Sequence, residues 1–128
     1  MILGVGIDIV HLPRIASLVA RRGSERLAQR ILSPRELPHW RLESKDAVRY
    51  LAVRFSVKEA AYKALYPVRP TWKELSYLSF GNPVPDCKPS LLYEPASPST
   101  NDQIGKLHVS VSHDGEYVVS TVIAEAPR

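Results

Sequence analysis

With 128 residues, 45% of them hydrophobic and 23% charged, the chain is long enough for one packed core, and residues 1–128 are expected to form a single domain. One cysteine, Cys87, excludes an internal disulfide and fits a reducing compartment, and no apolar run reaches the length of a membrane span. The net charge of +4 is uneven: between His11 and Tyr50 nine Lys or Arg oppose four Asp or Glu, so an acidic partner or a solvated basic helix face is expected there.

Structure is expected from the second residue, because Met1-Ile2-Leu3-Gly4-Val5-Gly6-Ile7-Asp8 carries no charged leader. Ile2 to Val10 reads as a strand, with Leu3, Val5, Ile7 and Ile9 on one face and Gly4, Gly6 and Asp8 on the other. The glycines clear room for something to approach Asp8, which is either a turn former or part of a ligand site. His11 to Arg22 predicts a helix with Pro13 in its first turn and Gly23 as its stop. Ser24 caps a second helix carrying Leu27, Ile31 and Leu32. Ser33-Pro34-Arg35-Glu36 has the form of a capping box and starts a third, short helix, broken at Pro38.

The longest helix is expected from about Ser44 to Leu65, ended by Pro67 and Pro70. At about 100° per residue, Val48, Leu51, Ala52, Phe55 and Tyr62 share an apolar arc, and Glu59 falls inside it. A carboxylate there must be paired, protonated or bound to a metal. Lys63, four residues on, offers an ordinary salt bridge as the simplest partner.

Strands follow at residues 75–80 and 90–94, separated by a loop over Pro83 to Pro89. A polar Pro/Ser-rich loop covers Pro95 to Asp102. Leu107 to His113 and Glu116 to Ala124 alternate on either side of Asp114-Gly115, a hairpin signal. Helices early and strands late predict an α+β fold, early helices packed on a mostly antiparallel sheet.

Three residues stand out from this pattern: Asp8, Glu59 and His113. Two hard carboxylates suit Mg²⁺, which keeps waters and shares its coordination with substrate phosphates. Lysine one turn away suits charge developing on a phosphate. His113 taken alone reads more readily as an ordinary hydrogen-bonded surface or core histidine.

The motifs Gly4-Val5-Gly6-Ile7-Asp8-Ile9-Val10, Arg54-Phe55-Ser56-Val57-Lys58-Glu59-Ala60-Ala61-Tyr62-Lys63-Ala64 and His108-Val109-Ser110-Val111-Ser112-His113 resemble, in order and spacing, those of the holo-acyl-carrier-protein synthases. These are the small type of 4′-phosphopantetheinyl transferase. Residues 30 to 37 also resemble the family's linker between early helices. The resemblance implies transfer of the phosphopantetheine arm of coenzyme A to a serine of apo-acyl carrier protein, with release of 3′,5′-ADP. It implies Asp8 and Glu59 as Mg²⁺ ligands and Glu59 and Lys63 as catalytic residues, Lys63 against the α-phosphate. The general base stays open between Glu59 and a water on the metal.

The resemblance further implies Arg54, Lys58, Lys63, Lys88, Pro89, Ser112 and His113 as coenzyme A contacts. Arg14, Leu18, Arg21 and Arg26 are implied as the carrier-protein docking face. It also implies a homotrimer with sites between subunits, and a soluble intracellular protein of the cytoplasm or mitochondrial matrix, without nucleic-acid or membrane partners. Two stretches depart from bacterial members. Tyr66-Pro67-Val68-Arg69-Pro70-Thr71-Trp72 replaces a Gly-rich turn, and the loop from Pro95 to Asp102 is longer; both resemble fungal mitochondrial members more.

Two other classes compete with this reading. A basic non-enzymatic nucleic-acid-binding module would use the Arg-rich helices but gives no role to Asp8 and Glu59 together. Another Mg²⁺-dependent phosphoryl-transfer enzyme, such as a pyrophosphatase, needs more carboxylates than the sequence places.

Overall fold

The computed structural model describes residues 1–42, 46–78, 88–97 and 102–128, with Arg41 and Leu42 described by backbone alone. The expected start of the long helix at Ser44, the end of the strand at 79–80, most of the loop at 83–89 and the tip of the Pro/Ser loop lie outside these residues.

The order is β1 (Ile2–His11), α1 (Leu12–Arg22), α2 (Ser24–Ile31), α3 (Leu37–Leu42) and α4 (Ala47–Leu65). A single 3₁₀ turn (Trp72–Glu74) then leads to β2 (Leu75–Leu78), β3 (Ser90–Tyr93), β4 (Leu107–Asp114) and β5 (Tyr117–Glu125). All pairings are antiparallel: β1, β5 and β4 form one sheet with β5 at its centre, and β2 pairs with β3 in a second. The α+β expectation holds, with two sheets in place of one.

Helix α4 is the axis of the fold. Its first half packs Tyr50, Leu51 and Ala52 among Ile15, Leu27, Ile31 and Trp40 of the early helices. Its second half packs Val57, Ala60, Ala61, Ala64 and Leu65 against Leu75, Tyr77, Leu91, Val122 and Ala124 of the two sheets. A helix covered on most of its circumference needs no single apolar stripe. The expected arc is therefore misplaced. Phe55, Glu59 and Tyr62 lie on the more open side, with Tyr62 exposed and Glu59 half-buried, while small residues fill the buried side.

The two glycines of β1 answer to this helix. A Cβ on Gly4 would stand 2.2 Å from the Ala64 carbonyl oxygen, and one on Gly6 1.8 Å from that of Ala60. The space they clear is filled by α4 backbone, not by a ligand. The alternating apolar residues of β1 point the other way. Leu3, Val5, Ile7 and Ile9 are about half exposed, and no described element covers them.

The capping box at Ser33 forms: the Ser33 amide donates to Glu36 Oε1 at 2.9 Å, and the Glu36 amide to Ser33 Oγ at 3.3 Å. Pro38 does not break the helix that follows. It is the second residue of α3, in the first turn, where its missing N–H would have no helical partner. The hairpin signal also holds: Asp114 pairs with Tyr117, and Gly115 takes the positive φ of 56° that a tight two-residue loop needs.

Lys58 corrects an expectation. It was read as a cation near the phosphates, yet its side chain is fully buried and its ammonium spends all three protons inside. It donates to Glu36 Oε1 at 2.5 Å, to the Ile31 carbonyl at 2.7 Å and to the Trp72 carbonyl at 3.0 Å. Burial pushes the lysine below its usual pKa, and the Glu36 carboxylate pulls it back up. Glu36 also accepts the Tyr77 amide at 2.9 Å, so one buried ion pair ties α4 to the end of α2, the α2–α3 turn, the 3₁₀ turn and β2. Lysine, with three donors on a flexible stem, suits this three-acceptor pocket.

Removing one partner of a buried pair strands the other, so Lys58→Met should lower unfolding stability by about 3–5 kcal/mol in urea titration. Adding Glu36→Gln should recover part of that loss, because the stranded charge is gone. A Lys58→Met protein as stable as the parent would contradict the knot.

Candidate active site

The candidate residues gather in two places on either side of α4. The first lies where β1 meets the second half of the helix. Asp8 is positioned by the ladder with β5, opposite Ser120, and by the close helix approach that Gly6 permits. Lys63 donates to the Ile7 carbonyl at 2.9 Å, and its ammonium stands 3.5 Å from Asp8 Oδ1. The alternative reading, a Glu59–Lys63 salt bridge, does not form, since the lysine turns to β1 instead. Glu59, one helical turn before Lys63, carries no hydrogen bond or ion pair among the described residues and lines a cleft with Tyr62, Pro70, Thr71 and Trp72.

Asp8 Oδ2 is buried and has no hydrogen-bond partner. A carboxylate oxygen out of water without a donor is costly, and a cation is the usual remedy. The donor set fits a hard, oxygen-preferring ion that takes one or two protein carboxylates and draws its other oxygens from water and substrate phosphate. Among the described residues no group of three or more His, Cys, Asp or Glu could hold a metal by itself, so an all-protein metal cage is not on offer.

The second place is an open pocket between the first half of α4, β2 and the end of β4. Asp46, Arg49, Tyr50, Val53, Arg54, Tyr77, Val111 and His113 line it, enclosing about 370 Å³. The buried Arg54 guanidinium lies over the Tyr50 ring at 3.6 Å and near the Tyr77 ring at 5.2 Å. Stacking of this kind holds a cation in the plane that suits phosphate while shielding it from water. Arg49 Nη1 lies 3.3 Å from His113 Nδ1. The structure thus places Arg54 and His113 in one pocket and adds Arg49.

The other expected residues fall outside both places. Ser112 is exposed beside His113 on β4, and Lys88 and Pro89 are exposed just before β3. Arg14, Arg21 and Arg26 are exposed on α1 and α2, with Leu18 half-buried among them. Sequence reasoning missed Arg49, Asp46 and the two tyrosines. Asp46 had a local signal, since an Asp three residues before an amide at a helix start is a capping pattern, and its Oδ1 accepts the Arg49 amide at 3.1 Å. The tyrosines had none, because Tyr77 reaches Arg54 only through the fold.

A model of the 4′-phosphopantetheinyl transferase superfamily matches residues 4–122. The holo-[acyl-carrier-protein] synthase of Yersinia pestis is 41% identical over 130 residues, covering 98% of this chain and 98% of that protein. That of Edwardsiella ictaluri is 40% identical over 125 residues, covering 97% and 98%. The crystal structure of the Neisseria meningitidis holo-[acyl-carrier-protein] synthase superposes with a TM-score of 0.83 at 33% identity, over 98% of this chain and 99% of that one. The Helicobacter pylori synthase in complex with coenzyme A superposes at 0.73 with 27% identity, over 94% and 99%. The leaning towards fungal mitochondrial members finds no support in these relatives, which are bacterial.

Proposed function

The chain belongs to the 4′-phosphopantetheinyl transferase superfamily, and from that membership we infer that it moves the 4′-phosphopantetheine arm of coenzyme A onto a serine of apo-acyl carrier protein, releasing 3′,5′-ADP. It is a transferase of the holo-acyl-carrier-protein synthase type, and coenzyme A is its substrate. The observation that best supports the residue roles is the buried Asp8 Oδ2 without a donor, with Lys63 against the other oxygen and Glu59 one helical turn before that lysine.

Mg²⁺ bound by Asp8 and Glu59 would neutralise charge on the coenzyme A pyrophosphate. Transfer joins the serine oxygen to the phosphorus that carries the pantetheine and breaks that phosphorus–oxygen bond to the α-phosphate of the leaving 3′,5′-ADP. Negative charge grows on the α-phosphate as the bond breaks. Lys63, half exposed and held among the described residues by Ile7 and Asp8, can turn to meet it. The serine proton needs an acceptor, and Glu59, a carboxylate without a partner among the described residues, can supply it. Arg54 and His113 serve as the phosphate contacts of the second pocket; Ser112 is assigned to coenzyme A, and Lys88 and Pro89 to its adenine side, on the motif match alone. The exposed arginines Arg14, Arg21 and Arg26, with Leu18, form the docking face for an acidic carrier-protein helix. A nucleic-acid module would leave Asp8 and Glu59 without a task.

Among the described residues the two halves of the site line separate pockets, which favours a trimer whose neighbouring subunits complete each site. The bare apolar face of β1 supports the same reading. Ile2, Leu3, Val5, Ile7 and Ile9 are 48–60% exposed, and covering such side chains contributes up to about 1.5–3 kcal/mol each.

Incubation with coenzyme A, Mg²⁺ and apo-acyl carrier protein should add the mass of the phosphopantetheine arm to the carrier; an unmodified carrier, where a control enzyme works, would refute the assignment. Glu59→Gln and Asp8→Asn should each lower turnover by a factor on the order of 100 or more, with the fold intact. Both should also weaken Mn²⁺ binding measured by electron paramagnetic resonance, and unchanged binding would remove them from the metal site. Light scattering should give three times the chain mass for the parent protein, while Ile7→Glu should dissociate and inactivate it. An active parent monomer would sink the shared-site reading.

A further inference from the structure

His113 is the penultimate residue of β4, at the rim of the pocket that holds Arg54, and its ring presents Nδ1 to Arg49 Nη1 at 3.3 Å. A guanidinium only donates hydrogen bonds. The ring nitrogen that meets it must therefore offer a lone pair, which leaves the imidazole proton on Nε2. Arg49 is itself held from behind. Its amide is capped by Asp46 Oδ1 at 3.1 Å, and its Nε stands 3.4 Å from Asp46 Oδ2, a charge contact that makes no hydrogen bond. Asp46, Arg49 and His113 thus form a line from the start of α4 to the end of β4, each member orienting the next.

We propose that Arg49 is a positioning residue that locks His113 in its Nε2–H form, so that the pocket beside Arg54 presents a fixed hydrogen-bond donor to a phosphate of coenzyme A. The proposal rests on the reading of that pocket as a phosphate site. A free histidine divides its proton between two nitrogens, and in the wrong form it turns a lone pair towards the phosphate. Arg49 removes that alternative at the cost of one of its own donors. The line also explains why an arginine stands at this position on α4: it is three residues past the cap, where both the cap carboxylate and the β4 end are in reach.

Long-range proton–nitrogen correlation spectra of the whole protein test this directly, with the His113 signals identified among the four histidines by comparison with His113→Gln. The parent protein should show His113 as the Nε2–H form alone. Arg49→Met should convert it to a mixture, and Arg49→Lys, which keeps one donor, should restore part of the preference. In turnover assays Arg49→Met should raise KM for coenzyme A roughly three- to tenfold and leave kcat within about twofold, the loss of one oriented hydrogen bond. A His113 that is mixed in the parent, or unchanged in Arg49→Met at an unaltered melting temperature, overturns the proposal. A lost preference with unchanged KM, where His113→Ala does raise KM, overturns the positioning role. If His113→Ala also leaves KM unchanged, it is the phosphate reading of the pocket that fails, while the spectra still report on the Arg49 contact.

Discussion

The Lys58–Glu36 pair is the interaction on which the rest of the structure hangs. An ammonium with no exposed surface must spend each proton on an acceptor, and here the three acceptors belong to three different segments. The carboxylate opposite is equally committed, to the Ser33 and Tyr77 amides as well as the lysine. Breaking such a pair leaves a buried charge, so the segments it joins can only move together. Lys73 adds to the same corner by donating to the carbonyls of Gln29 and Leu32, which have no partners within the helix at the end of α2. These polar contacts thereby add to the apolar cluster that packs the early helices onto α4.

The same helix then serves two chemical environments at once. Its small buried residues and the two glycines of β1 let strand and helix backbones meet, and this contact brings Asp8 to Lys63. One or two turns earlier, on another side, Arg54 lies between Tyr50 and Tyr77 and faces the end of β4. Glu59 and Arg54 thus line different pockets of the chain, and neither lies in the other's. The alternating apolar residues of β1 on the far side of the strand–helix contact stay uncovered among the described residues.

Much of this was legible in local pattern. Asp8 beside two glycines, the helix ending at paired prolines, the capping box at Ser33 and the Asp-Gly hairpin each depend on neighbours a few residues away, and each is where its pattern placed it. The failures share one cause. The arc through Phe55, Glu59 and Tyr62 assumed that a helix has one dry side, but α4 is covered on most sides, so periodicity had little to report. Lys58 read as a surface cation because its partner is 22 residues away, beyond any helical or strand spacing. Pro38 read as a breaker because its position within the first turn depended on where the preceding box handed over to the helix.

The amino-acid sequence by itself determined the elements, their order, the α+β class and the family, because backbone propensity, turn chemistry and ordered motifs are properties of short stretches. It also named Asp8, Glu59, Lys63, Arg54 and His113. Only the tertiary structure decided which of the charged residues are free to act. It took Lys58 into the interior, gave Lys63 to β1 instead of Glu59, left one oxygen of Asp8 without a donor and set Arg49 against His113. Whether a charge is free or spent depends on which groups meet it across the fold, and those groups come from segments that local pattern cannot join.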